Sequence, residues 1–70
     1  MELKWEEGFA ITVRAKEGAV LISANRAGLR SLAAHLTALA EQLPGEHLHL
    51  DAWNSLEDGS AELILEKTES

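Results

Sequence analysis

Between Arg26 and Leu43 the apolar residues step by three and four: Leu29, Leu32, Leu36, Leu39 and Leu43, with Ala33 and Ala40 filling the same stripe. That period belongs to an α-helix, whose side chains return to one face every 3.6 residues, and not to a strand. The chain is therefore organised around one amphipathic helix, expected over about 26–43. Asn25 precedes it and can accept a hydrogen bond from an otherwise unpaired first-turn amide. Pro44 disfavours helical geometry at Leu43, and Gly45 follows, so the helix stops there. Gly28 lies near the start, where glycine costs about 1 kcal/mol relative to alanine. Its presence points to a close backbone approach. The opposite face carries Ala27, Ser31, Ala34 and Ala38 and reads as a run of good helix formers rather than a second packing surface.

On both sides of the helix the period changes to two. Phe9, Ile11 and Val13 alternate with Ala10, Thr12 and Arg14, which predicts a strand over about 9–15 with one buried face. Lys16, Glu17 and Gly18 form a polar turn, and a second strand follows over 19–24, completing a hairpin. Val20, Leu21 and Ile22 are apolar without alternation, the pattern of a central strand covered on both faces. After the helix, Leu48, Leu50 and Ala52 alternate with His47, His49, Asp51 and Trp53, a third strand over 47–53. Asp58-Gly59 is a turn dipeptide, and a fourth strand is expected over 60–66. Leu3 and Trp5 also alternate, so residues 2–6 could add a further strand, with Glu7-Gly8 as a turn or a bulge. The tail from Lys67 should fray. The resulting expectation is a single α+β domain over 1–70 in ββαββ order. It would be a two-layer sandwich: a mainly antiparallel four-stranded sheet with the helix on one face. The other sheet face would hold apolar, aromatic and acidic side chains and suit contact with another protein.

Size makes self-association a further expectation. For 70 residues, burial of apolar surface supplies on the order of 100 kcal/mol, while ordering the chain costs roughly 105. There is no cysteine, so no disulfide or thiolate metal site adds to the balance. A homodimer is the simplest remedy. Twelve acidic against six basic residues give a net charge of -6, which repels nucleic-acid phosphates and anionic membranes and attracts a basic protein. Residues 1–7 hold three glutamates and no apolar core of a signal peptide, no run is long enough to span a membrane, and the cytoplasm is the expected location.

Chemistry-bearing motifs are few. His47, His49 and Asp51 at alternate strand positions could offer three metal ligands, but same-side positions lie about 7 Å apart, so they converge only on a bent strand. A polar row facing solvent or a partner is the expected reading, and no cofactor is expected. His35, at the edge of the helix stripe, should make an ordinary hydrogen bond at the helix flank. No phosphate-binding glycine loop, nucleophile elbow or paired helical histidines are present, and the chain reads as non-enzymatic. Trp53 beside Glu57 and Asp58 is the conspicuous feature, because tryptophan dominates binding hot spots and neighbouring carboxylates select a cationic partner. Asp51, Trp53, Glu57, Asp58 and Glu62 are the candidate partner-binding residues.

Several of these segments resemble a known family. Ile22-Ser23-Ala24-Asn25-Arg26-Ala27-Gly28-Leu29, Pro44-Gly45-Glu46-His47-Leu48-His49-Leu50-Asp51 and Asn54-Ser55-Leu56-Glu57-Asp58-Gly59-Ser60 are similar to the bacterial immunity proteins of family thirty-two, found in polymorphic toxin systems. The likeness spans roughly residues 20–67 and is most specific in the His-x-His-x-Asp strand and the segment after it. Ala52-Trp53 stands where Glu-Tyr is expected, which keeps the aromatic and drops a charge. The resemblance implies an α+β fold and a role in neutralising a toxin, with no catalytic residues.

Overall fold

A computed structural model describes residues 2–70. Its elements follow the order β1 (Ile11–Lys16), β2 (Ala19–Ala24), α1 (Arg26–Ala40), β3 (His47–Leu50) and β4 (Leu63–Glu66). The α+β class and the ββαββ order are as expected, but the strands form two antiparallel ribbons, β1 with β2 and β3 with β4, instead of one sheet. The segment between β3 and β4 runs along the free edge of β1. Glu57 N–H donates to Ile11 O (2.9 Å) and Ala61 N–H to Val13 O (2.8 Å), while Val13 N–H turns to the Ser60 hydroxyl (3.2 Å). A turn closed by Ser60 N–H on Glu57 O (3.2 Å) places extra residues opposite β1, and this bulging prevents a continuous ladder.

The β1–β2 hairpin turns on Glu17 (φ 49°) and Gly18 (φ 80°), both in the left-handed region, as a tight primed turn requires. Its register sets Ile11, Val13 and Ala15 opposite Ala24, Ile22 and Val20. Ile11 and Val13 are buried and join Leu32, Leu50 and Leu56 in the core, with Trp5, Phe9, Ala24, Ala61 and Leu63 packed around them. In the second ribbon Leu48 and Leu50 point inward opposite Leu65 and Leu63, and His47 and His49 point outward opposite Glu66 and Ile64. Among the described residues no helix is long and apolar enough to cross a membrane.

Several boundaries differ from expectation, each for a local reason. Residues 2–6 form no strand: Glu6 N–H donates to the Ser31 hydroxyl on the helix (2.9 Å), and Phe9 N–H closes a turn on Glu6 O (3.2 Å). The alternation of Leu3 and Trp5 survives as alternating burial without a ladder partner. The helix ends at Ala40, because Glu41 N–H reaches Ala38 O (3.2 Å) and Gln42 N–H reaches Leu39 O (3.0 Å), tightening the last turn, and the Lys67 ammonium donates to Ala40 O and Gln42 O (both 2.7 Å). The third strand stops at Leu50 and the fourth starts at Leu63, with side-chain-capped loop between them. β2 is not central: its residues 19–23 are exposed, and among the described residues its outer edge has no neighbouring strand.

The helix is also rotated from the expected stripe. Gly28, Ser31, Leu32, His35 and Leu39 are buried, while Leu29, Leu36 and Leu43 are exposed. Gly28 accounts for the rotation. A Cβ there would come within 2.7 Å of Ala10 O and 2.9 Å of Ile11 Cγ1, closer than real Cβ contacts, so the helix settles on the β1–β2 ribbon through its one residue without a side chain. That contact turns Leu29 and Leu36 outward. It also directs Ser31 inward, so the face expected to be solvated is partly covered by the N-terminal segment.

Candidate functional site

The residues after β3 are held by two side chains. Asp51 Oδ1 accepts from the backbone N–H of Trp53 (2.9 Å) and Asn54 (3.0 Å), and its carbonyl accepts from Ser55 (3.0 Å) and Leu56 (2.8 Å). Asn54 closes the loop from the other side: Oδ1 accepts from Asp51 N–H (3.0 Å) and Nδ2 donates to His49 O (2.8 Å). Short Asp and Asn side chains compete well with a ladder for nearby backbone groups, which is why the strand ends here. Leu56, 4% exposed, anchors the far end in the core. Between these fixed points Trp53 is 95% exposed. An indole held in water on an ordered loop buries nothing in the isolated molecule, so its place is not explained by the core.

Glu57 and Asp58 follow and are exposed. Among the described residues neither carboxylate forms an ion pair; the pairs present are Arg30–Glu6 (2.7 Å) and His49–Glu62 (3.1 Å). Glu62 therefore meets the outward face of β3, where the rings of His47 and His49 lie edge to face with centroids 4.9 Å apart. Asp51 does not join this row, since its carboxylate caps the loop backbone, and among the described residues no cluster of three metal-ligating side chains occurs. Of the five residues expected to bind a partner, Asp51 thus orients the loop, Trp53, Glu57 and Asp58 project from it and the turn that follows, and Glu62 sits on the adjoining ribbon face beside Ile64.

His35 departs from expectation. It is 1% exposed, its ring meets Trp5 edge to face at 4.2 Å, and among the described residues Nε2 has no hydrogen-bond partner. Burial pushes its pKa below the ordinary value. It lies under the N-terminal segment, where Trp5 also stacks on Phe9 at 4.5 Å. Nothing in the residue spacing distinguished this site from the helix flank, because the inward rotation came from Gly28. The exposure of Trp53 did carry a signal: Asp51-Ala52-Trp53-Asn54-Ser55 is rich in the residues that form side-chain-capped turns.

The model of the family described as Immunity protein 32 matches residues 19–68, a stretch that includes β2, α1, β3, the tryptophan loop and β4. No curated protein and no solved structure matches the chain. The family match covers well over half of the 70 residues and takes in the loop described above. This chain belongs to the Immunity protein 32 family.

Proposed function

We propose that this protein is a non-enzymatic immunity protein of a bacterial polymorphic toxin system. In this reading it binds a basic cognate toxin in the cytoplasm through Trp53 and the carboxylates around it. The observation that carries the reading is Trp53, 95% exposed on a loop locked by Asp51 and Asn54. A solvent-facing indole on a hydrogen-bonded backbone has only two side-chain torsions to fix on binding and presents a large apolar area. Glu57 and Asp58 follow Trp53 in the chain and are exposed, and Glu62 lies exposed on the adjoining ribbon face; their negative charge would accelerate the encounter with a basic cleft and fix its orientation. Occlusion of the cleft, without any chemistry on this chain, is sufficient for neutralisation. Self-association fits this use provided it leaves the tryptophan loop free. His47 and His49 act here as part of the contact face and not as metal ligands.

The test is binding of the cognate toxin to Trp53→Ala by calorimetry. The expected loss is about 2 kcal/mol or more, roughly thirtyfold in Kd, with thermal stability unchanged because the indole packs against nothing. Equal binding by Trp53→Ala and by the double variant Glu57→Ala/Asp58→Ala overturns the assignment of this surface.

A further inference from the structure

β2 combines properties that a solitary strand does not tolerate well. Ala19-Val20-Leu21-Ile22-Ser23-Ala24 carries no charge and no proline, it is a sheet edge, and Val20 and Leu21 are 63% and 59% exposed. Edge strands in monomeric proteins are ordinarily guarded by charges, prolines or bulges, since their free backbone groups template pairing with another chain. The unbroken apolar run has the composition of a strand flanked on both sides. Val20 and Ile22 share a face with buried Ile11 and Val13, yet the helix leaves them open while its own Leu29 and Leu36 are exposed as well.

We propose that the free edge of β2 pairs antiparallel with β2 of a second copy, forming a twofold-symmetric dimer with a continuous sheet across the interface. Two quantities favour a second copy as the occupant. A folded 7.6 kDa chain is expected to expose roughly 4,300 Å². This one exposes 5049 Å², about 750 Å² more, close to the roughly 800 Å² that each partner buries in a standard interface. Charge is also segregated. Residues 8–40 hold four basic residues against one acidic, and residues 41–70 hold eight acidic against one basic. The β2 edge thus belongs to the part of the chain with few carboxylates, where a basic toxin gains nothing by docking. A twofold operation makes one patch serve both copies and leaves the tryptophan loops free, so the choice of a second copy over the toxin rests partly on the toxin-binding reading.

Sedimentation of the full chain at micromolar concentration without toxin tests the pairing. The wild type is expected at twice 7.6 kDa. Leu21→Lys and Val20→Lys are each expected at the mass of one chain with an unchanged far-ultraviolet circular dichroism spectrum, because both side chains are exposed in the single molecule. Leu43→Lys, exposed but outside the strand, should remain a dimer. A wild type that sediments as one chain overturns the proposal, as do Leu21→Lys and Val20→Lys variants that stay dimeric. The Leu21→Lys monomer should bind the cognate toxin as tightly as the wild type. A tenfold or greater loss there, with the wild-type pair split by toxin, would assign the edge to the toxin instead. That outcome is distinct from failure of the Trp53 assignment, which is read only in Trp53→Ala.

Discussion

His35 is a polar side chain packed where hydrogen bonds are scarce. Leaving a buried donor or acceptor without a partner costs about 1–3 kcal/mol, and charging it in that setting would cost more, which is why burial depresses its pKa. The consequence for stability has a definite sign. Above its ordinary value of 6.5 the imidazole is neutral in both states and the fold keeps its full stability. As the pH falls through that value the unfolded chain takes up a proton that the folded chain resists, and stability declines until the folded protein is protonated too. Urea midpoints should therefore be lower at about pH 5 than at neutral pH, and His35→Leu should reduce that difference while raising the neutral-pH midpoint. An identical pH dependence in His35→Leu would show that other groups govern it. Gly28 works on the same scale with a larger structural effect, since the missing Cβ decides which side chains of the helix face inward. The sequence already pointed to close approach at Gly28. It did not reveal the rotation that follows, and His35 was consequently expected at the flank.

The start of α1 shows how a single cap can join elements. Asn25 Oδ1 accepts from Gly28 N–H (2.8 Å) and from Ala10 N–H (3.1 Å), and Nδ2 donates to Gly8 O (2.9 Å). The same amide therefore caps the helix and ties down the chain entering β1. Asn25→Ala should destabilise the protein by about 2 kcal/mol, the upper end for a cap, and Asn25→Asp by less, because it keeps both acceptor bonds and loses only the donor. Chemical denaturation of the two variants checks the order, and equal losses would place the effect in Nδ2 alone. The helix was legible from a period of 3.6, three strands from a period of two, and β2 from its unbroken apolar run after a turn. Their ends were less so. Asp51 and Asn54 cut the third strand at Leu50, and the Glu57–Ser60 turn delays the fourth to Leu63, because side-chain hydrogen bonds outbid the ladder at positions where alternation continues.

Along the chain the charge is uneven: eight of the twelve acidic residues fall in residues 41–70, and β2 carries none. For toxin binding this arrangement makes the association rate the salt-sensitive quantity. Raising ionic strength from low to physiological should slow association about tenfold or more and change dissociation little, measured by stopped-flow with the cognate toxin. A salt-insensitive association rate would mean that Glu57, Asp58 and Glu62 do not steer the encounter. The outward row of His47, His49 and Ile64 is exposed, and so are Val20, Leu21 and Ile22 at the β2 edge and Leu29 and Leu36 on the helix. By itself the sequence determined the α+β class, the element order and the conspicuous Trp53 segment, because periodicity, capping residues and composition act over a few neighbours. Only the tertiary structure decided the split into two ribbons, the orientation of the helix and the exposure of β2. Those depend on contacts between residues distant in the chain, such as Gly28 with Ala10 and Glu57 with Ile11, which no local pattern encodes.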